Sequence, residues 1–344
     1  MKAVAYSIKS YEKELLIKAN AKRHEITLIS NRLTMDTIAY AQGKEAILVF
    51  SCDDVSAPVL RKLKELGVKF VATRSTGTDH IDLNEAARLG IKVSNIPAYS
   101  PESIAEHAIS LILALCRNLL PAHRQMMQFD FSLDGLIGTT LKGKTVGIVG
   151  YGKTGAALAK ILRGFGSRVI VNDHRDLREL CARGGAKQVD FDELLAQADI
   201  ISFHVPLNES TRHMVNAKSI AKMKDGVMLI NVSRGAIFNS FEVLNALQEN
   251  KISKIGMDVY EFEHNVFFFD HSRRPIKDQL LKSFIQHSRV LLTPHQAFLT
   301  TEALQVIAAE TIKNLDSWGS GKCVGCACRC QTNSVVEQKV IVNP

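Results

Sequence analysis

The chain has 344 residues, 46% of them hydrophobic and 23% charged, a balance that excludes a mainly disordered or collagen-like protein. At about 150 residues per domain, the length suits two domains. Lys plus Arg exceed Asp plus Glu by 43 to 35, giving +8 without a long basic block, and 6% of residues are aromatic. Such a charge suits an anionic substrate or cofactor better than nucleic acid.

The opening MKAVAYSIKSYEKE has no apolar signal core. The apolar run 104–120 contains Glu106, His107, Ser110 and Arg117, so no membrane span is expected. Cys52, Cys116 and Cys181 stand singly among apolar residues, which points to reduced thiols and a cytoplasmic setting.

In chain order, residues 2–6, 25–29, 46–49, 69–73 and 92–95 read as short strands, and 59–66 and 84–89 as helices. Gly67 and Gly90 sit where helix C-caps belong. Strands alternating with helices predict a parallel sheet in an α/β domain. Pro97 and Pro101 bracket a boundary. Ser100-Pro101-Glu102-Ser103 then opens a helix, with Ser at the N-cap and Pro at N1. Ile104, Ala108, Leu111, Ile112 and Leu115 follow at helical spacing; residues 125–143 are less regular. A second α/β series starts at Lys144, with strands at 145–149, 168–172, 200–204, 227–232, 255–259 and 289–292. The almost wholly apolar 227–232 suits a central parallel strand. A last helix over 301–318 ends at Gly319-Ser320-Gly321.

Gly150-Tyr151-Gly152-Lys153-Thr154-Gly155 matches G-x-G-x-x-G, follows a strand and opens a helix; Asp173 comes 18 residues after Gly155, at the end of the next strand. That context predicts a dinucleotide site. Gly150 permits the turn, Gly152 lets backbone approach a pyrophosphate, and Gly155 allows helix–sheet packing. The N–H groups from Lys153 onward face phosphate. Asp173 would accept a ribose diol and so favour NAD over NADP, although His174 and Arg175 follow directly.

Arg234, Glu263 and His295 fall at or just beyond the carboxyl ends of strands, the edge where open α/β sheets bind ligands. Arginine offers a planar fork to a carboxylate, histidine exchanges a proton near neutrality, and a neighbouring carboxylate favours imidazolium. Glu261 lies two residues from Glu263, which leaves two candidates for the histidine's partner.

Together with residues 149–155, His204-Val205-Pro206, residues 231–236, residues 256–263 and residues 293–298, these motifs resemble the D-isomer-specific 2-hydroxyacid dehydrogenases, most closely their fermentative D-lactate branch. The resemblance covers roughly residues 1–318. It implies Arg234, Glu263 and His295 as the catalytic set, with Glu263 preferred to Glu261. The 32-residue gap from Glu263 to His295, carrying Phe267-Phe268-Phe269-Asp270, resembles that branch.

The resemblance also implies a fold: two Rossmann-like α/β domains with doubly wound parallel sheets and a cleft between them. A flavodoxin-like substrate domain would comprise 1–100 and 299–330, an NAD-binding domain 101–298, and a flexible tail 331–344. Thr76, Gly77, Tyr99 and Phe298 would line the substrate pocket with Arg234. Val205 and Pro206 would line the adenosine side, and Val232, Ser233 and Asp258 the nicotinamide half. NAD is the implied cofactor, pyruvate and D-lactate the implied substrate pair, and a homodimer, or a tetramer, the implied assembly, built on the helix from Ser103. Another 2-oxo acid is an alternative substrate. An NAD(H)-sensing, corepressor-like scaffold is an alternative of a different class. Cys323, Cys326, Cys328 and Cys330 depart from the family pattern. Four thiolates suit zinc or copper(I), but single-residue spacing is unlike a structural zinc knuckle, so a reduced tail is the favoured reading.

Overall fold

The computed structural model describes residues 1–273 and 275–321. The chain divides into two compact units: Met1–Tyr99 together with the chain from Leu304 on, and Ser100–Ala303. Every strand pair in both sheets is parallel.

The first unit holds β1 (Lys2–Ala5), β2 (Glu25–Leu28), β3 (Ala46–Val49), β4 (Phe70–Thr73) and β5 (Lys92–Ser94), in the order β2-β1-β3-β4-β5. This is the flavodoxin-like order. Side chains alternate across its sheet. Val4, Ile47, Val49 and Val71 meet the helix Ala57–Glu65 through Val59, Leu60 and Leu63. Ala3, Ala5, Leu48 and Ala72 meet Leu16, Ile312, Leu315 and Trp318 on the other face. Trp318 also stacks on Phe70, with ring centroids 4.7 Å apart.

Beyond β4, the side chain of Arg74 is only 1% exposed. Its guanidinium donates to the carbonyls of Tyr6 (2.8 Å) and Leu48 (3.1 Å) and to Glu12 Oε2 (3.0 Å), tying three strand ends together. Removing one partner of a buried pair strands the other charge, at about 3–5 kcal/mol. Arg74→Ala is therefore expected to lower the unfolding free energy by that amount in a urea titration. A loss under about 1 kcal/mol would show that Glu12 is rehydrated in the variant.

The second unit holds β6 (Thr145–Val149), β7 (Arg168–Asn172), β8 (Lys187–Gln188), β9 (Ile200–Phe203), β10 (Val227–Asn231), β11 (Ile252–Met257) and β12 (Val290–Leu292). The order is β12-β11-β10-β9-β6-β7-β8. Strand order reverses between β6 and β9, which makes the carboxyl ends there a topological switch point. The helix Pro101–Cys116 begins as expected, with Ser100 Oγ accepting from the N–H of Ser103 at 3.1 Å. Ala108, Leu111, Ile112 and Leu115 pack into one cluster with Val146, Ile148, Met228 and Ile230.

Three elements differ from the expectations. The helix Ser10–Asn20 is unanticipated; it buries only Glu12 and Leu16, too sparse a pattern to announce itself. A helix, Leu119–Met127, reaches into the first three residues of the stretch read as irregular, and none of its residues is buried. The two-residue β8 is too short to carry any periodicity. No single helix among the described residues is long and apolar enough to cross a membrane.

Candidate active site

At the switch point, each glycine of the loop has its own reason. Gly150 has φ +94, and a Cβ there would lie 2.7 Å from the His204 carbonyl oxygen of β9's extension. A Cβ on Gly155 would collide with the Gly150 carbonyl. Gly152 differs: no protein atom lies within 4 Å of where its Cβ would be. Nothing inside the protein requires glycine there, whereas a ligand crossing the loop would. Gly152 is also the N-cap of the helix Lys153–Gly164. The N–H groups of Lys153, Thr154 and Gly155 thus lack intrahelical acceptors and suit an anion.

Asp173 follows β7, and its Oδ2 accepts the N–H of Tyr151 at 2.8 Å, tying it to the glycine loop. Burial raises its carboxyl, but hydrogen bonds from Arg175 and from the N–H of Tyr151 bring it down to about 2. This set, with an open glycine, free helix N–H groups and an ionised acid on the adjacent strand, fits a dinucleotide. Val205 and Pro206 extend from β9 at the same edge.

Arg234 arrives through a loop organised by Asn231, which is fully buried. Asn231 Nδ2 donates to the Arg234 carbonyl at 2.9 Å, and Oδ1 accepts the N–H (3.1 Å) and hydroxyl (2.9 Å) of Ser233. Val232 is buried in this turn. Gly235 then passes so close to Tyr260 that any Cβ would overlap the Tyr260 carbonyl. The arginine loop and the glutamate loop therefore touch backbone to backbone.

Glu263 is oriented through Oε2, which accepts the N–H of Tyr260 at 2.9 Å. Its Oε1 lies 2.6 Å from His295 Nδ1. Glu261 turns elsewhere: it pairs with His213 Nε2 and accepts the N–H of Ser240. The histidine's partner is thus Glu263. His295 has φ +55, a conformation uncommon for a residue with a side chain. The ring of Phe268, itself at φ +70, lies 5.5 Å from the His295 ring, centroid to centroid.

What holds His295 in that turn is Asp258, 1% exposed. Its Oδ1 accepts the hydroxyl of Thr293 (2.6 Å) and the N–H of Gln296 (2.8 Å), and its Oδ2 accepts the N–H of Ala297 (2.8 Å). His107 Nε2, from the helix Pro101–Cys116, lies 2.9 Å from Thr293 Oγ1. Sequence reasoning did not foresee this clamp, nor the parts played by Asn231, Gly235 and Phe268. A buried acid one residue past a strand was the only available signal. His204, just past β9, is pushed by burial down to about 4 and is neutral near pH 7.

Phe298 is buried in the second unit. Thr76, Gly77 and Tyr99 belong to the first. There the Thr76 carbonyl accepts Asn95 Nδ2 at 2.7 Å, and the Gly77 carbonyl accepts the Ser75 hydroxyl at 2.7 Å. Among the described residues, no group of three or more His, Cys, Asp or Glu could hold a metal. The cluster Cys323, Cys326, Cys328 and Cys330 lies outside the described residues.

The fold and this edge define a nucleotide-dependent dehydrogenase. Residues 109–297 match the model of the D-isomer specific 2-hydroxyacid dehydrogenase NAD binding domain, and the chain belongs to that family. It is 42% identical over 326 residues to a D-lactate dehydrogenase of Curvularia clavata, covering 93% of each chain. It is 41% identical to the D-lactate dehydrogenase of Escherichia coli, covering 94% of this chain and 98% of that one. Its structure is similar to that of the Aquifex aeolicus D-lactate dehydrogenase complexed with NAD and lactic acid. That match has TM-score 0.84 and 31% identity and covers 93% and 96% of the two chains. The chain is an oxidoreductase acting on D-2-hydroxy acids, with NAD as its cofactor.

Proposed function

We propose that the protein is a D-lactate dehydrogenase that reduces pyruvate to D-lactate with NADH. The observation that carries this reading is the Glu263–His295 pair at the sheet edge that also bears Arg234 and the glycine loop. When bound, the dinucleotide supplies the hydride. Gly150, Gly152, Lys153, Thr154 and Gly155 would hold its phosphates, Asp173 its adenosine ribose, Val205 and Pro206 the adenosine side, and Val232 and Ser233 the nicotinamide half. Asp258 keeps the His295 turn in place and retains acceptor capacity on Oδ2 for the carboxamide.

Arg234 binds the substrate carboxylate with its planar fork. His295 Nδ1 faces Glu263, so Nε2 is the nitrogen left to give a proton to the developing alkoxide. Glu263 fixes the ring's orientation through the 2.6 Å contact to Nδ1. The Phe268 ring packs beside the imidazole at 5.5 Å, centroid to centroid. Phe298 bears on the size of the substrate's side chain.

The test is NADH oxidation with pyruvate, phenylpyruvate, 2-oxoisocaproate, hydroxypyruvate and glyoxylate, with chiral analysis of each product. Fastest turnover on pyruvate, giving the D product, is expected. Preference for a larger 2-oxo acid would replace pyruvate in this reading. NADH binding without turnover on any of them would favour a sensing scaffold.

We also propose a homodimer. The helix Pro101–Cys116 buries most of its apolar side chains within its own unit. The segment after it does not: Leu119, Met126, Met127, Phe129, Phe131, Leu133 and Ile137 are all exposed. So many exposed apolar side chains along one segment mark an interface. A paired substitution, Phe129→Asp with Phe131→Asp, is expected to halve the mass measured by light scattering. An unchanged dimer mass would place the interface elsewhere.

A further inference from the structure

Asp173, the acid assigned to the adenosine ribose, already has its acceptor sites filled. Its Oδ1 accepts the backbone N–H of Arg175 at 3.0 Å and Arg175 Nε at 2.9 Å. Its Oδ2 accepts the N–H of Tyr151 at 2.8 Å and Arg175 Nη2 at 3.0 Å. A carboxylate has about four lone-pair sites, so Arg175 takes three of them. A ribose diol binds such an acid by donating O–H, and it has nowhere to donate until the guanidinium moves.

Arg175 can move. Its side chain is 48% exposed, and its ion pair is local, two residues along the chain. The carboxylate end is buried, 4% exposed, but the guanidinium end faces solvent, so opening the pair returns the arginine to water. Once displaced, the guanidinium stays tethered beside the ribose 2′ position, and its fork matches a phosphate's geometry. His174 adds a second group there: its side chain is 88% exposed, with Nδ1 3.4 Å from Asp173 Oδ1. The ribose end of the site is therefore not a lone carboxylate that repels a 2′-phosphate. It is a carboxylate with its own counter-ion.

We propose that Arg175 is a two-position specificity residue that admits the 2′-phosphorylated dinucleotide, NADP(H), alongside NAD(H). Closed on Asp173, it competes with the ribose diol. Open, it pairs with the 2′-phosphate and offsets the repulsion from Asp173. The inference rests on the dinucleotide reading of the glycine loop.

The experiment is isothermal titration of the whole chain with NADH and with NADPH, without substrate, for wild type, R175A and R175K. Adenosine 2′,5′-bisphosphate and 5′-AMP serve as probes of the ribose end alone. Wild type is expected to hold NADPH within about tenfold of NADH. R175A is expected to raise the ratio of the NADPH to the NADH dissociation constant about tenfold or more, with NADH binding unchanged or tighter. R175K, which keeps the charge but loses the fork, should fall between them. A ratio that R175A leaves unmoved or lowers overturns the inference, as does wild-type NADPH binding more than tenfold weaker than NADH. Binding of neither dinucleotide to wild type would instead remove the glycine-loop reading on which it stands.

Discussion

His295→Asn is expected to lower kcat for 2-oxo acid reduction by about 10²–10⁴-fold, the range for losing a positioned general acid, with NADH affinity unchanged. The separation follows from position. The glycine loop and Asp173 lie at the ends of β6 and β7, while His295 stands beyond β12 at the far end of the sheet order. Asparagine keeps polarity and approximate size but cannot deliver a proton. Glu263→Gln should act through the histidine: an amide in place of the carboxylate weakens the 2.6 Å contact to Nδ1 that fixes the ring, so kcat should fall while NADH affinity is kept. Stopped-flow turnover, beside titration of NADH, checks both. A His295→Asn enzyme with near wild-type kcat would move the proton to another donor. His204 could not take the part, being neutral near pH 7.

The readable part of this site was the part encoded locally. G-x-G-x-x-G between a strand and a helix, an acid after the next strand, and polar residues after three apolar runs are each short-range patterns. They pointed to Gly150, Asp173, Arg234 and His295, and left Glu261 and Glu263 as two candidates that only the family resemblance ranked. The supports were not readable, because they join residues far apart in sequence. Asp258 reaches Gln296 and Ala297, 38 and 39 positions along. Gly235 is required by Tyr260, which no local pattern near residue 235 announces. The competition of Arg175 for Asp173 is local, yet invisible without side-chain geometry: adjacency in sequence does not say which acceptor sites are filled. The same limit applied to the fold. Buried strands such as Val227–Asn231 declared themselves, whereas Ser10–Asn20 and Lys187–Gln188 did not, since they bury too little to impose a pattern.

Gly235→Ala is expected to cost at least about 100-fold in kcat/KM, although the residue bears no chemistry. The added methyl would overlap the Tyr260 carbonyl, and its neighbours are backbone atoms that cannot rotate aside. One of the two loops must therefore shift. Arg234 is the residue immediately before, and Glu263 takes its orientation from the N–H of Tyr260 at 2.9 Å. Either shift separates the carboxylate clamp from the proton donor's partner, and a displacement near 1 Å is worth about 10²-fold in rate. Because Arg234 would act in both ground and transition states, KM should rise as kcat falls. Tm should fall as well. Gly152→Ala provides the contrast, since its methyl meets no protein atom within 4 Å and its φ of −75 is open to alanine. That variant should keep its Tm and lose NADH affinity about tenfold or more, the methyl standing where the pyrophosphate would cross. Equal Tm losses in the two variants would mean that Gly152 serves the fold, and the open space above it would then need another explanation than a ligand.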